Sequence, residues 1–292
     1  MSENAMTMKN SPTLKKKGFT YREIGKIVVH TLLIIGAISM IFPFIWMILT
    51  SLKTFGEATR IPPTILPSEW MVENYTKVLN VLPFTQLYIN TILMMLGRVI
   101  FAVVTCSMAG YAFARIKFPG SKIMFGLILA QMMVPGQVFT IPQYLLVADL
   151  GMLNTIFALI FPGLISCFGV FLLRQFYLSL PNELEEAAII DGCNDWKIFT
   201  RIMFPLTKAS VSALTIFTAI WAYKDLMWPI IVNISMDKMT LSAGLATLNG
   251  QYVTDYPVIM AGTVLSMWPI LILYVIFQRQ FVEGIAMTGT KG

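Results

Sequence analysis

Residues 27–52 read IVVHTLLIIGAISMIFPFIWMILTSL, 26 positions between Lys26 and Lys53 with no ionised side chain. At about 1.5 Å of rise per residue, a helix of this length crosses the ~30 Å hydrocarbon core of a bilayer. A signal peptide has a shorter apolar core followed by small residues at a cleavage site. Here the run is longer, and Pro43, Phe44 and Trp46 near its end read as interfacial anchoring. His30, the one histidine of the chain, starts the run with no metal-ligand spacing around it and reads as interfacial packing.

Outward from this run, charges act as punctuation. A first span is expected near 27–49 and a second near 86–113, interrupted only by Arg98. Others follow near 123–147, 152–174, 209–233 (with Lys224 and Asp225 embedded) and 257–279. The composition agrees, with 57% hydrophobic and 12% charged residues against about 25% charged in soluble domains. With the N-terminus inside, the inner segments carry 15 Lys and Arg and the outer segments five, which fixes the orientation by the positive-inside rule.

The expected fold is an all-α membrane protein of six transmembrane helices with cytoplasmic N- and C-termini. Residues 1–26 form an N-terminal tail, 27–281 the membrane domain and 282–292 a C-terminal tail. Segment 51–83 is an outer excursion holding Pro62, Pro63, Pro67 and Pro83, with a short surface helix over 70–79.

Several functions are excluded. The net charge of +6 belongs to topology, since no basic stripe with interleaved aromatics marks nucleic-acid binding. Cys106, Cys167 and Cys193 show no CxxC spacing, so neither a disulfide framework nor a metal site is expected. No phosphate-binding loop, HExxH or GxSxG pattern is present, so no catalytic residue is assigned.

The inner segment 178–206 differs from an ordinary connector. From Leu180 it reads LPNELEEAAIIDGCNDWKIFTRIMFPLTKAS, with five of the chain's 15 acidic residues. Asn182 is expected to cap a first helix with Glu185 as capping-box partner, and the early carboxylates suit its positive end. Ala187 and Ala188 leave a small-faced side. Gly192 permits a backbone reversal, Asn194 or Asp195 caps a second helix over 196–204, and Pro205 opens the next span. An acidic, small-faced helix in the cytoplasm is shaped as a knob for a groove on another protein.

This loop resembles the EAA motif of permeases in binding-protein-dependent ABC importers. It has Glu186-Ala187-Ala188, three residues, Gly192, nine residues, Ile202, one residue, then Phe204-Pro205, where the family has Leu-Pro. The resemblance covers roughly residues 25–292, and its carbohydrate branch is suggested by AGYAFAR (109–115), WAYKDLMWP (221–229) and QRQFVEG (278–284). Trp221-Ala222 stands where sugar permeases often have Trp-Asn.

The resemblance implies a multi-pass subunit of a bacterial or archaeal plasma membrane, translocating a sugar or oligosaccharide by alternating access. Glu186, Ala187, Ala188, Asp191, Gly192, Ile202 and Pro205 would couple it to the ATPase. It is not itself an enzyme and binds no cofactor; two separate ATPase subunits use the ATP and Mg. The other implied partners are a second permease in a heterodimer, an extracytoplasmic solute-binding protein and membrane lipid. The C-terminal tail would also touch the ATPases. Glycerol 3-phosphate or another polar solute is the alternative cargo, and a proton-coupled carrier or membrane enzyme the alternative class.

Candidates for the translocation path are polar or aromatic groups within spans, since a sugar ring has apolar faces and a hydroxyl rim. They are Arg98, Gln131, Gln137, Trp221, Tyr223, Lys224, Asp225 and Trp228. Arg98 could line the path, meet an acidic group on the second permease, or snorkel to the interface. The helix 5 cluster could equally be an outer belt of Trp and Tyr with exposed charges.

Overall fold

The computed structural model describes residues 21–250 and 254–289. The tail 1–20 and the last three residues lie outside the described residues. Every described element is a helix. The chain divides into two units, residues 1–47 and 48–292, each considered by itself. All of the first unit's described part lies in helix α1 (Tyr21–Ser51), which carries Pro43 internally.

In the second unit, α2 (Phe55–Ala58) and α3 (Glu73–Val81) belong to segment 51–83, expected as an outer excursion. Then come α4 (Phe84–Arg115), α5 (Ser121–Met132), α6 (Thr140–Asp149), α7 (Ile156–Ile160) and α8 (Cys167–Ser179). The loop helices are α9 (Glu183–Ile190), α10 (Asp195–Ile198) and α11 (Phe204–Leu206). The chain closes with α12 (Lys208–Lys224), α13 (Met227–Val232), α14 (Leu241–Ala246), α15 (Tyr256–Ser266) and α16 (Trp268–Gly289). Gly25–Ser51, Phe84–Arg115 and Tyr256–Gln278 are long and apolar enough to cross a bilayer; three bent helix pairs raise the number to six if each is one span.

The bends correct three expected spans, and proline chemistry explains them. The stretch 123–147 is two helices at 105°. Pro135 has no N–H to give, and it holds Val134 away from helical geometry. Pro142 causes no break because it lies in the first turn of α6, where no donor is needed. The stretch 152–174 bends by 45° after Phe161-Pro162-Gly163, and α8 runs on to Ser179. The span expected at 209–233 ends at Lys224; its bent partner is Asp195–Leu206, at 75°. Ahead of Pro205, residues 199–203 loosen into a π turn in which the Phe204 N–H donates to Phe199 O.

The 32-residue α4 is the axis of the second unit. It contributes to all three buried clusters: Leu87 with Val78, Leu241 and Ala261; Met94 with Leu159, Ala222 and Trp228; and Cys106 and Tyr111 with Leu173, Tyr177 and Leu214. In lipid, helices associate through close packing rather than the hydrophobic effect. At the α4–α8 crossing, small residues supply that closeness. A Cβ on Gly110 would come 3.0 Å from Leu173 Cβ, and one on Gly169 would come 2.7 Å from Cys106 Sγ. Outward faces stay apolar, as at Ile123, Leu127 and Ile141, as a lipid or protein neighbour requires.

Segment 51–83 is closed by polar contacts. Asn74 Nδ2 donates to Ser51 O (2.9 Å) and Lys53 O (3.0 Å), and Met71 N–H to Leu52 O (2.8 Å). The short helix begins at Glu73 rather than Trp70, because Asn74 and Tyr75 turn back toward Ser51. Glu57 accepts from Thr64 Oγ1 (2.8 Å), Ser68 N–H (3.0 Å) and Ser68 Oγ (3.1 Å), while Lys53 Nζ donates to Thr64 O. Desolvation pushes the Glu57 carboxyl up, but these hydrogen bonds and the Lys53 charge outweigh it and hold it below its ordinary value.

A carboxylate with a depressed folded-state pKa stabilises the fold above its unfolded value and loses that effect as pH falls. The melting-temperature difference between wild type and Glu57→Gln is therefore expected to be full at neutral pH. It should close as pH falls below 4.5, the ordinary value. A difference that persists unchanged into acid would contradict this account.

Candidate functional site

Two constellations emerge from the fold, one around the loop helix α9 and one around Arg98. α9 presents Glu183, Glu185 and Glu186 in its first turn, which suits the positive end of a helix. Its end is a Schellman turn: Gly192 N–H donates to Ile189 O (3.0 Å) and Cys193 N–H to Ala188 O (2.9 Å). Gly192 has φ +76°, the left-handed region where a side chain is strained. Asn194 Oδ1 then accepts from Lys197 N–H at 2.9 Å and starts α10.

The expected cap at Asn182 is corrected. Its side chain makes no capping bond to α9; Oδ1 instead accepts from Arg115 Nη1. Arg115, at the end of α4, also donates Nε to Tyr177 O (3.2 Å) and Nη2 to Tyr177 O and Leu180 O (2.6 Å each). Its Nη1 lies 3.7 Å from Glu185 Oε2. One guanidinium thus ties the end of α8, the turn and α9 to the longest helix of the second unit. Tyr111, one turn earlier, donates its hydroxyl to Glu185 Oε1 at 3.4 Å. Sequence reasoning missed Arg115 and Tyr111 as contributors to this loop. The only available signal was a basic residue closing one span and an acidic loop following another, far along the chain.

The motif residues separate by burial. Ala188 is turned into the core beside Tyr111 and Ile198, while Glu186, Ala187, Asp191 and Gly192 are exposed. Ile202 packs on the same core, and Pro205 is exposed.

The second constellation forms around Arg98, about halfway along α4 and 7% exposed. Its Nη1 pairs with Asp225 Oδ2 at 2.8 Å and its Nε donates to Leu159 O at 2.8 Å. Arg98 neither snorkels nor needs a carboxylate from another chain, and Asp225 is not an exposed charge of an outer belt. Asp225 Oδ1 also accepts from Trp228 N–H (3.3 Å), and its carbonyl accepts from Ser242 Oγ (2.6 Å). The ion pair therefore joins α4 to the end of α12 and the starts of α13 and α14.

Beside it is a cavity of about 270 Å³ whose lining includes Arg98, Gln131, Ser166, Cys167, Thr218 and Trp221. Arg98 Nη2 is buried without a hydrogen-bond partner among the described residues. Trp221 is half exposed and meets Phe168 edge-on at 5.4 Å. Of the eight residues expected in the path, the fold brings Arg98, Gln131 and Trp221 to this cavity, with Asp225 behind Arg98. Trp228 is buried, donating Nε1 to Ala158 O at 2.8 Å, and Tyr223 donates to Ser266 O. Lys224 and Gln137 are exposed and outside the lining. No group of three or more His, Cys, Asp or Glu that could hold a metal occurs among the described residues.

Removing one partner of a buried ion pair costs about 3–5 kcal/mol, whereas replacing both by apolar groups is often near neutral. Asp225→Asn keeps the Trp228 acceptor and removes the charge, so it is expected to destabilise by roughly that amount. Arg98→Met/Asp225→Leu should recover most of what Arg98→Met and Asp225→Leu each lose singly, as read by denaturation in a double-mutant cycle. Additive losses would mean the pair is not coupled. Arg115→Ala is expected to raise amide exchange across α9 while leaving α4 protected up to Tyr111. Unchanged exchange in α9 would show that the guanidinium does not hold it.

Residues 103–286 match the family model described as "Binding-protein-dependent transport system inner membrane component". The chain is 34% identical over 272 residues to the arabinooligosaccharides transport system permease protein AraQ of Halalkalibacterium halodurans, covering 91% of this chain and 98% of that protein. It is 29% identical over 277 residues to the sn-glycerol-3-phosphate transport system permease protein UgpE of Brucella suis, covering 91% and 98%. In structure it is similar to a chain of a bacterial ABC transporter involved in the import of the acidic polysaccharide alginate. That match has TM-score 0.75 and 24% identity over 92% of this chain and 99% of the other, a likeness of fold. With a family match over most of its length and a relative matched nearly end to end, this chain belongs to the binding-protein-dependent transport system inner membrane components, the permeases of ABC importers.

Proposed function

We propose that this chain is one permease half of an ATP-driven importer of a carbohydrate, an oligosaccharide in particular, in the cytoplasmic membrane of a bacterium. The observation that carries the reading is α9. It is an acidic helix with Glu186 and Ala187 exposed, closed by the Gly192 turn and fastened to α4 by Arg115. A helix held so firmly at its base and left bare on its outer side is suited to transmit force from a docked protein.

In this reading the chain has six spans and both termini in the cytoplasm. α9 is the coupling helix, seated in a cleft of a separate ATPase subunit. Two such ATPases use the ATP and magnesium, and a second, different permease completes the pore. A loaded solute-binding protein meets the outer excursion, where Ile61 and Trp70 are exposed. ATP-driven closure moves α9, Arg115 passes the motion to α4, and access alternates around the cavity. There Trp221 offers an apolar face, and Arg98 Nη2 and Gln131 offer polar groups, the combination a sugar ring needs.

The AraQ match favours an oligosaccharide as cargo. The UgpE match supports a second reading, sn-glycerol 3-phosphate with the same architecture. Binding of each solute by the cognate solute-binding protein separates the two.

Glu186→Lys is expected to leave the chain in the membrane but to lose co-purification of the ATPase and to reduce uptake at least tenfold. A charge-assisted contact of roughly 1.5–3 kcal/mol would account for this. Gly192→Val, strained by roughly 1–2 kcal/mol at a positive φ, should weaken both readouts. Normal insertion with unchanged ATPase binding and unchanged uptake in both variants would sink the coupling assignment.

A further inference from the structure

At the turn from α4 to α5, the chain forms an open concavity of about 530 Å³, separate from the cavity at Arg98 and sharing only Arg115 with the coupling loop. Four cations line it, Arg115, Lys117, Lys122 and Arg174, and no carboxylate does. Arg115 is committed to α8 and α9. Arg174 donates Nε to Phe113 O (3.1 Å) and lies 4.1 Å above the Phe125 ring. No ion pair engages Lys117, Lys122 or Arg174 among the described residues. Three concentrated positive charges facing one opening repel each other unless an anion joins them.

The surroundings identify the anion. Below the cations, the Phe113 ring lies 5.6 Å from Phe118 and 5.8 Å from Phe125. Beyond them the outer face of α5 is apolar, with Ile123 72% and Leu127 65% exposed. The pocket sits at the end of α4 that Arg115 ties to α9, and so at the membrane boundary on the loop side. A ligand here needs a negative head and an apolar tail. We propose that the pocket holds the phosphate headgroup of an anionic phospholipid, with an acyl chain lying along α5. Free phosphate satisfies the cations but leaves the apolar face unused. The assignment rests on the chain's residence in the membrane and on neither its cargo nor its ATPase.

The test is native mass spectrometry of the full-length chain in detergent, titrated with dioleoyl phosphatidylglycerol, dioleoyl phosphatidylcholine or inorganic phosphate. A basic residue beside an anionic membrane surface strengthens binding roughly fivefold. Phosphatidylglycerol is therefore expected to bind at least about tenfold tighter than phosphatidylcholine. Lys117→Gln/Lys122→Gln, at two exposed positions, should remove that preference. Arg174→Gln should weaken it, and Lys208→Gln, outside the pocket, should not. Equal binding of the two lipids, or an unchanged preference in the double variant, overturns the proposal. Displacement of phosphatidylglycerol by millimolar inorganic phosphate also overturns it, by assigning the pocket to free phosphate.

Discussion

A guanidinium halfway along an apolar helix of 32 residues must be neutralised inside the protein. Much of the second unit is arranged around how that happens. Asp225 can reach Arg98 only if α12 stops at Lys224 and the chain turns, since the carboxylate lies at the helix end rather than on its side. The same turn lets Asp225 receive Trp228 N–H and Ser242 Oγ, so one ion pair sets where α12, α13 and α14 meet. The cavity beside it follows, because helices that end in mid-structure leave space that a continuous span would fill.

The other end of α4 repeats the device with a different partner. Arg115 engages mainly backbone carbonyls at the end of α8, those of Tyr177 and Leu180, where intrahelical donors run out. Its five donors in a planar fork bridge several acceptors at once, which a lysine ammonium cannot do in the same geometry. The two arginines are 17 positions apart, about 25 Å along a helix. A single rigid element therefore has one end in the loop and its middle at the cavity, an arrangement suited to passing displacement between them.

Proline and glycine supply the discontinuities. Pro135 and Pro205 take away backbone donors where the chain bends, and membrane proteins tolerate such losses only where protein or a watery cavity receives the freed carbonyls. Gly110 and Gly169 do the opposite at the α4–α8 crossing. With no side chain there, the backbones approach closely enough for dispersion to hold them where lipid provides no hydrophobic drive.

What the sequence determined by itself was short in range. The length of uncharged runs, the Gly192 reversal, the Asn194 cap and the motif spacing in the loop all depend on residues within a few positions of one another or on bulk hydropathy. Local chemistry misled where a distant group competed: Asn182 has a capping side chain, but Arg115, 67 positions away, takes its oxygen. Only the tertiary structure decided that Arg98 belongs to Asp225, 127 positions on, and that Gln131 and Trp221 line the cavity while Gln137 and Lys224 do not. The reason is physical. Helix formation and capping are settled by hydrogen bonds between near neighbours, whereas burying a charge is settled by whichever counter-charge the packed helices carry to it, and no pattern along the chain encodes that distance.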